Sequence, residues 1–420
     1  MELGPSPFCI TKLNDDVWKH SIMSYLTLQD LVAFTMTCKY TYNSKLLSHF
    51  VLRIRAVVSD GFLRWTQRTG CLLDGVSIAI DVSYVHTFDI YCACFSSNGE
   101  LVVGSLDGTL SIWNTRNCIV THQIVRVHQE DDVNAVYPLD DNRIVSCSND
   151  GSIKIWNLND NVTCEKVILA HKGYVSKIHV NNDGHLVSIG EDGWLKVWNL
   201  LTGECVCRSA LHVHLDVIAL DLTVVESGIY IVYTKGGEDR GIDNHCRLRC
   251  YDTSEQRLAS GNTPFIPNNK AENGYRLLHV LVYCICALLD CDGFVIGYVP
   301  TGHDLNVTAK IGVYELTKVG SGHDNIEVQI ESKMILEGNG TVISDITTTV
   351  MGNLVSCGYD GSIMLHRRVT NFCFEPARIF QVHKKQVNFV VSFPNGLGVV
   401  TGARDDRLCY TAIDEQAYVL

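Results

Sequence analysis

Hydrophobic and polar residues alternate in short runs over most of the chain, and Asp-Gly pairs break many of the runs. Three segments repeat the pattern closely: ELVVGSLDGTLSIWN, NRIVSCSNDGSIKIWN and GHLVSIGEDGWLKVWN. Alternation of period two predicts strands, and an Asp-Gly pair between two such runs predicts a hairpin turn. Tryptophans close the units at Trp113, Trp156 and Trp198, intervals of 43 and 42, and the turn aspartates Asp107, Asp150 and Asp192 repeat at the same intervals. A histidine lies 21 or 22 residues before each aspartate: His86, His128 and His171. Residues 11–47 read differently. Val17, Ile22, Tyr25 and Leu26 fall on roughly one helical face. Thr27 and Asp30 read as the N-cap and first-turn acid of a second helix, which carries Leu31, Val32, Phe34 and Cys38 inward; a third helix is predicted to begin over Tyr40–Leu47.

The repeating residues resemble WD repeats, in which a period of about 40–45 residues makes one four-stranded propeller blade. The resemblance implies a buried hydrogen-bond network in each blade. The matching sets are His128, Ser146, Asp150 and Trp156, then His171, Ser188, Asp192 and Trp198. In such a set Asp accepts from His, His orients Ser and the indole N–H finds an acceptor. The same residue types would suit a hydrolase, but a catalytic site is needed once and a blade staple in every blade.

Later units are eroded. SCGYDGSIMLHR keeps Asp360 and has His366 in the tryptophan place; GARDDRLCYTAID follows, with His383, Thr401, Asp405 and Thr411. Asp192 and Asp360 stand 168 residues apart, read as three enlarged steps marked by strand ends at Tyr251 and Tyr314. The insertions GGEDRGIDNHC and VPTGHDLNVTAK fall inside two of the hairpins. Blades are therefore expected over 89–126, 127–170, 171–211, 212–278, 279–337, 338–382 and 383–415, seven in all, with eight as the alternative count. The last unit has only three strands, and the alternating Gly75–Val85 is placed to supply the fourth and close the ring.

The composition narrows the classes. With 420 residues, 46% of them hydrophobic, the chain can bury a core, and a net charge of 34 − 46 = −12 argues against nucleic acid as the main partner. No run of about 18 apolar residues predicts a membrane span, and the N-terminus lacks the pattern of a signal peptide, so an intracellular protein of the cytoplasm or nucleus is expected. Many of the 18 cysteines sit at i, i+2 in strand-like runs (Cys92/Cys94, Cys205/Cys207, Cys284/Cys286), which reads as small buried hydrophobes. No pair of C-x₂-C motifs meets at zinc spacing, so neither metal nor cofactor is expected. The sequons at Asn161, Asn306 and Asn339 carry no weight without export.

Leu13, Val17, Ile22, Tyr25, Leu26, Asp30-Leu31 and Cys38-Lys39 are spaced like the F-box. That resemblance implies binding to the Skp adaptor of cullin–RING ubiquitin ligases through Leu13, Val17, Ile22, Tyr25, Leu26, Leu31 and Cys38. Asn14 stands where the family usually has Pro, and the tryptophan favoured after the cysteine is absent. The expected organisation is an F-box-like helical domain at 8–50, a helical linker at 51–70 and the propeller at 71–420. The fold class is thus an all-β seven-bladed WD-repeat propeller preceded by a small α-helical F-box-like domain.

F-box propellers are expected to read a protein substrate on one face, some through arginines that grip phosphate. Two positions per blade bear on this. Residues before the turn aspartates are Leu106, Asn149, Glu191, Tyr359 and Arg404; those near the starts of inner strands are Tyr91, Asn134, Ser176, Ser344 and Asn388. One arginine among ten disfavours a multi-arginine phosphate pocket, although Arg404 could hold one acidic group. The expected substrate face is Tyr91, Asn134, Ser176, Tyr359, Asn388 and Arg404, with Lys177 and Arg143 nearby in sequence. The favoured function is a substrate-recognition subunit of a Skp–cullin–F-box ligase without catalytic residues. The alternatives are a WD-repeat scaffold and, from another class, a propeller hydrolase using His303 with Asp304 or His323 with Asp324.

Overall fold

An Asp-Gly hairpin works because glycine takes positive φ without a Cβ penalty. Gly108, Gly151, Gly193 and Gly361 all do so, at φ of 71°, 76°, 70° and 82°. In the last such turn Asp406 takes the same place at φ 59°. The strands joined by these turns form the fold.

The computed structural model describes residues 73–413 except 75–76, 84, 115–118, 125–126, 129–130, 141, 160–161, 181–184, 212–216, 237–245, 253–256, 262–279, 301–307, 322–325, 341 and 395–397. The chain divides into Met1–Gly70 with Asp414–Leu420, and Cys71–Ile413, which holds every described residue. The helical segment expected over 8–50, with Leu13, Val17, Ile22, Tyr25, Leu26, Leu31 and Cys38, and the linker expected over 51–70 lie outside the described residues.

Two short strands come first, β1 (Leu73–Asp74) and β2 (Ser77–Asp81). Blade 1 is β3 (Ile90–Phe95), β4 (Leu101–Ser105), β5 (Leu110–Asn114) and β6 (Ile119–Ile124). Blade 2 is β7 (Val133–Asp140), β8 (Arg143–Ser148), β9 (Ser152–Asn157) and β10 (Thr163–Leu169). Blade 3 is β11 (Val175–Val180), β12 (His185–Gly190), β13 (Trp194–Asn199) and β14 (Cys205–Ala210). Blade 4 is β15 (Val217–Val224), β16 (Ile229–Gly236), β17 (Cys246–Asp252) and β18 (Arg257–Gly261). Blade 5 is β19 (Val280–Ala287), β20 (Gly293–Pro300), β21 (Lys310–Ser321) and β22 (Ile326–Glu337). Blade 6 is β23 (Ile343–Thr348), β24 (Leu354–Gly358), β25 (Ser362–Thr370) and β26 (Cys373–Gln381). Blade 7 is β27 (Val387–Ser392), β28 (Gly398–Ala403) and β29 (Arg407–Ala412), completed by β2 and β1. The molecule is a seven-bladed all-β propeller.

Segment 75–85 supplies the missing strand of the last blade. β2 runs antiparallel to β29, from Ser77 opposite Thr411 to Asp81 opposite Arg407. One feature departs from the regular plan: β18 pairs in parallel with β22, Ser260 opposite Glu327 and Gly261 opposite Val328. Blades 4 and 5 thereby share one eight-stranded sheet.

Second strands have both faces covered by neighbouring blades, so they read as apolar or small throughout. LVVGS in β4, LVSCG in β24 and GVVTGA in β28 are buried at every position. Outer strands are the reverse; in β10 only Ile168 is buried. This corrects one reading of the cysteines. Cys92, Cys94 and Cys284 are buried, but Cys205 is exposed and Cys207 and Cys286 are half-buried. Cys205 and Cys207 lie on β14, whose outer position a period-two pattern does not reveal.

Side chains on the inner strands tie each blade to the next. Asp221 accepts from the Ile285 N–H at 3.0 Å, Thr223 from Ala287 at 2.8 Å, and Asp345 from Val390 at 3.0 Å. Going the other way, the thiols of Cys92 and Cys147 donate to the carbonyls of Val133 and Val175, at 3.5 and 3.6 Å. These groups satisfy inner-strand polar atoms that no neighbouring strand can reach. His179 spans three blades, with Nε2 3.1 Å from the Tyr137 hydroxyl and Nδ1 3.3 Å from that of Tyr230. Burial holds its pKa down to about 4.

Candidate protein-binding face

Each repeat's histidine lies in the sequence just ahead of an inner strand, and its aspartate in the turn that reaches back to it. In blade 2, His128 Nδ1 is 3.1 Å from Asp150 and Nε2 is 2.8 Å from Ser146 Oγ, while Trp156 Nε1 donates to the same hydroxyl at 2.9 Å. The carboxylate only accepts and the indole only donates, so the hydroxyl proton must go to Nε2 and the histidine is neutral. Burial lowers the His128 pKa, in keeping with that form. Burial also pushes the Asp150 acid up, but bonds from His128 and Ser152 outweigh it and hold the group well below the usual carboxylate range. Blade 3 repeats the set: His171 to Asp192 at 2.6 Å and to Ser188 at 2.7 Å, with Trp198 to Ser188 at 2.9 Å.

The other blades vary the theme. In blade 1, His86 reaches Ser111 at 2.6 Å, and Trp113 donates to Ser111 at 2.7 Å. Blade 7 keeps His383 to Asp405 at 3.0 Å and to Thr401 at 2.8 Å. In blade 6 Asn339 takes the histidine place, accepting from Ser356 at 2.5 Å and donating to Ser362 at 2.9 Å. Asn339 is 3% exposed, so its sequon is closed to a glycan in the folded chain. His366 is buried, with Nε2 3.1 Å from the Glu337 carbonyl. Blades 4 and 5 carry aromatics instead. Tyr251 contacts Cys207 at 3.1 Å, and Tyr314 stacks on Phe294 with ring centroids 5.4 Å apart.

All seven inner strands slip register once near their start. The slips lie between Ile90/Cys92, Val133/Ala135, Val175/Lys177, Ala219/Asp221, Val282/Cys284, Ile343/Asp345 and Val387/Phe389. A bulge leaves its extra residue out of the ladder and re-aims the side chain. The ring of such residues is Tyr91, Asn134, Ser176, Leu220, Tyr283, Ser344 and Asn388. Sequence reasoning found five of them and missed Leu220 and Tyr283, because blades 4 and 5 lack the His–Asp frame from which the position is counted.

The expected face residues divide into open and engaged. Tyr91 and Tyr359 expose 43% and 42% of their surface, and Ser176 is half-buried. Asn134 and Asn388 instead spend an amide N–H on the next blade, to the Val175 carbonyl at 2.9 Å and the Ile90 carbonyl at 2.8 Å. Asn134 also donates to Asn149 at 2.8 Å. Arg404 is exposed but paired with Asp89 at 3.3 Å. Lys177 points into the channel, 3.4 Å from Asp221. Arg143 belongs elsewhere, bound to Asp140 at 2.6 Å. His303, Asp304, His323 and Asp324 lie outside the described residues.

The family model described as WD domain, G-beta repeat matches residues 80–114, 118–157 and 162–199. Each match ends on the third strand of a blade, and the second and third begin at or just before the outer strand of the preceding one. The first begins at Ile80 in β2, the outer strand of blade 7. No curated protein matches the chain. With three WD40 repeats found in sequence and seven blades in structure, the chain carries a WD40-repeat propeller, a fold that serves generally as a non-catalytic platform for binding other proteins.

Proposed function

We propose that this chain is the substrate-recognition subunit of a Skp–cullin–F-box ubiquitin ligase of the cytoplasm or nucleus, with the propeller binding the protein to be modified. The observation that carries the reading is a pairing: an F-box-like spacing, Leu13 to Cys38, followed by a seven-bladed propeller. The open Tyr91, Ser176 and Tyr359 at the channel mouth are the contact residues, with aromatic rings as anchors. The chain contributes no reacting group. Its effect is to raise the effective concentration of the substrate beside the ubiquitin donor.

The test is a pull-down of the full chain and of a Leu26→Asp, Leu31→Asp double variant, probed for the Skp adaptor and cullin. A charge placed in an apolar docking face costs several kcal/mol. Wild type should recover both proteins and the variant neither, with the same thermal unfolding of the propeller. Failure of wild type to recover adaptor would leave a propeller scaffold without a ubiquitin role.

A further inference from the structure

The residue after each bulge points toward the next blade at one level of the channel. In blades 1, 2, 5 and 7 this residue is apolar and buried: Cys92, Ala135, Cys284 and Phe389. In blades 3, 4 and 6 it is charged: Lys177, Asp221 and Asp345. Two carboxylates and one ammonium leave this level one charge negative.

Lys177 already shows how a cation sits here. Its Nζ lies 3.4 Å from Asp221 and its side chain remains 41% exposed, so the level is open to solvent. Asp345 accepts from Val390 N–H at 3.0 Å and from its own neighbour Ile346 at 2.9 Å. A carboxylate offers about four lone-pair positions, so about two remain. No cation lies within ion-pair distance of Asp345 among the described residues. Burial, opposed by the charge of Lys177, pushes its acid up to about 6.

Aromatic rings stand beside this level. Tyr91 and Tyr359 are exposed, and the ring of Tyr283 meets Tyr359 edge-on with centroids 6.4 Å apart. Tyr91 lies close enough to Lys177, Tyr359 and Asp221 for their charges to act on its phenol, which burial pushes up. A carboxylate lacking a counter-ion, bordered by ring faces, is a setting that holds ammonium or guanidinium groups. An acidic or phosphorylated ligand is disfavoured, because the two cations nearest the mouth are already engaged: Lys177 by Asp221 and Arg404 by Asp89.

We propose that the channel mouth takes an arginine or lysine side chain of a partner polypeptide, its cation seated against Asp345 and bordered by Tyr91, Tyr283 and Tyr359. This rests on the reading of the propeller as the protein-binding part and is independent of the ubiquitin role. The test is a positional-scanning library of 12-residue peptides, measured by fluorescence polarisation on the full chain. Wild type should select Arg or Lys over Gln at one position by about tenfold, the scale of one charge-assisted contact. Asp345→Asn should abolish the selection, and Tyr359→Ala should weaken it several-fold.

Absence of basic selection, selection of acidic or phosphorylated residues, or basic selection undiminished in Asp345→Asn would each overturn the proposal. Should Asp345→Asn fail to fold by circular dichroism, Tyr91→Ala and Tyr359→Ala alter only exposed rings, and unchanged selection in both would overturn it equally. Adaptor recovery is measured on the same preparations. Basic selection without adaptor sinks only the ligase reading; adaptor without basic selection sinks only this one.

Discussion

Val103 and Ser111 are partners across blade 1, and Ser111 carries the hydroxyl that blades 2 and 3 place on the opposite strand. There Ser146 faces Lys154 and Ser188 faces Lys196, so in blade 1 the hydroxyl has crossed the ladder to the same point in space. It still meets His86 and Trp113. Ser111→Ala should therefore destabilise the propeller by about 1–3 kcal/mol, since two buried ring nitrogens lose their partner. The double change Val103→Ser, Ser111→Val should recover part of that loss. Urea unfolding measures both, and a wild-type midpoint for Ser111→Ala would mean the blade 1 staple is idle.

Asp406 occupies the left-handed region at φ 59° where four other turns have glycine. A side chain there costs backbone energy, less for aspartate than for most residues. Asp406→Gly should raise stability by about 0.5–1 kcal/mol, read as a shift in urea midpoint with unchanged slope. A destabilised variant would show that the Asp406 side chain makes a contact worth more than the strain.

These two sites show how far sequence was readable. Seven blades follow from one recurring frame, a histidine and an aspartate about 21 residues apart, because the same buried network must be built in successive blades. Asn339 keeps that spacing, since 360 − 339 = 21, yet a search for histidine passes over it. Ser111 was hidden for a related reason: the pattern specifies a strand, whereas the network needs only a hydroxyl at one point. Tyr251 and Tyr314 fill tryptophan places, but without a His–Asp pair they gave no way to count to Leu220 and Tyr283. The engagement of Asn134 and Asn388 with the next blade depends on where a bulge aims a side chain, which alternation does not encode.

Closure of the ring makes a separate prediction. β2 is the strand that pairs with the outward edge of β29, and without it that edge would lie bare. A chain beginning at Val82 should unfold at lower temperature and less cooperatively than one beginning at Cys71, and should aggregate on concentration. Scanning calorimetry and light scattering on the pair decide the matter. Equal melting of the two would show that blade 7 is stable on three strands.

Stability should respond to pH in two opposed ways. Asp345 is held up to about 6, above its ordinary value of 3.8, so the folded chain binds this proton more tightly than the unfolded one. Its contribution is fully present below about 3.8 and lost as pH rises through about 6. The groups around it are Lys177 and Asp221, with the Cys284, Cys286 and Cys357 thiols, which burial keeps protonated throughout this range. Asp107, Asp150 and Asp192 behave in the opposite sense. Burial pushes each up, but the bonds from His86, His128 and His171 prevail and hold them low, so their contribution is present above about 3.8 and lost on acidification. Asp345→Asn removes only the first effect. The variant should be more stable than wild type at pH 7.5 by on the order of 1–3 kcal/mol, the scale of a two-unit shift, and the gap should close by pH 4. Urea midpoints of both proteins at pH 4, 5, 6 and 7.5 measure it; a gap that stays constant would show that Asp345 ionises in the folded chain as it does in the unfolded one.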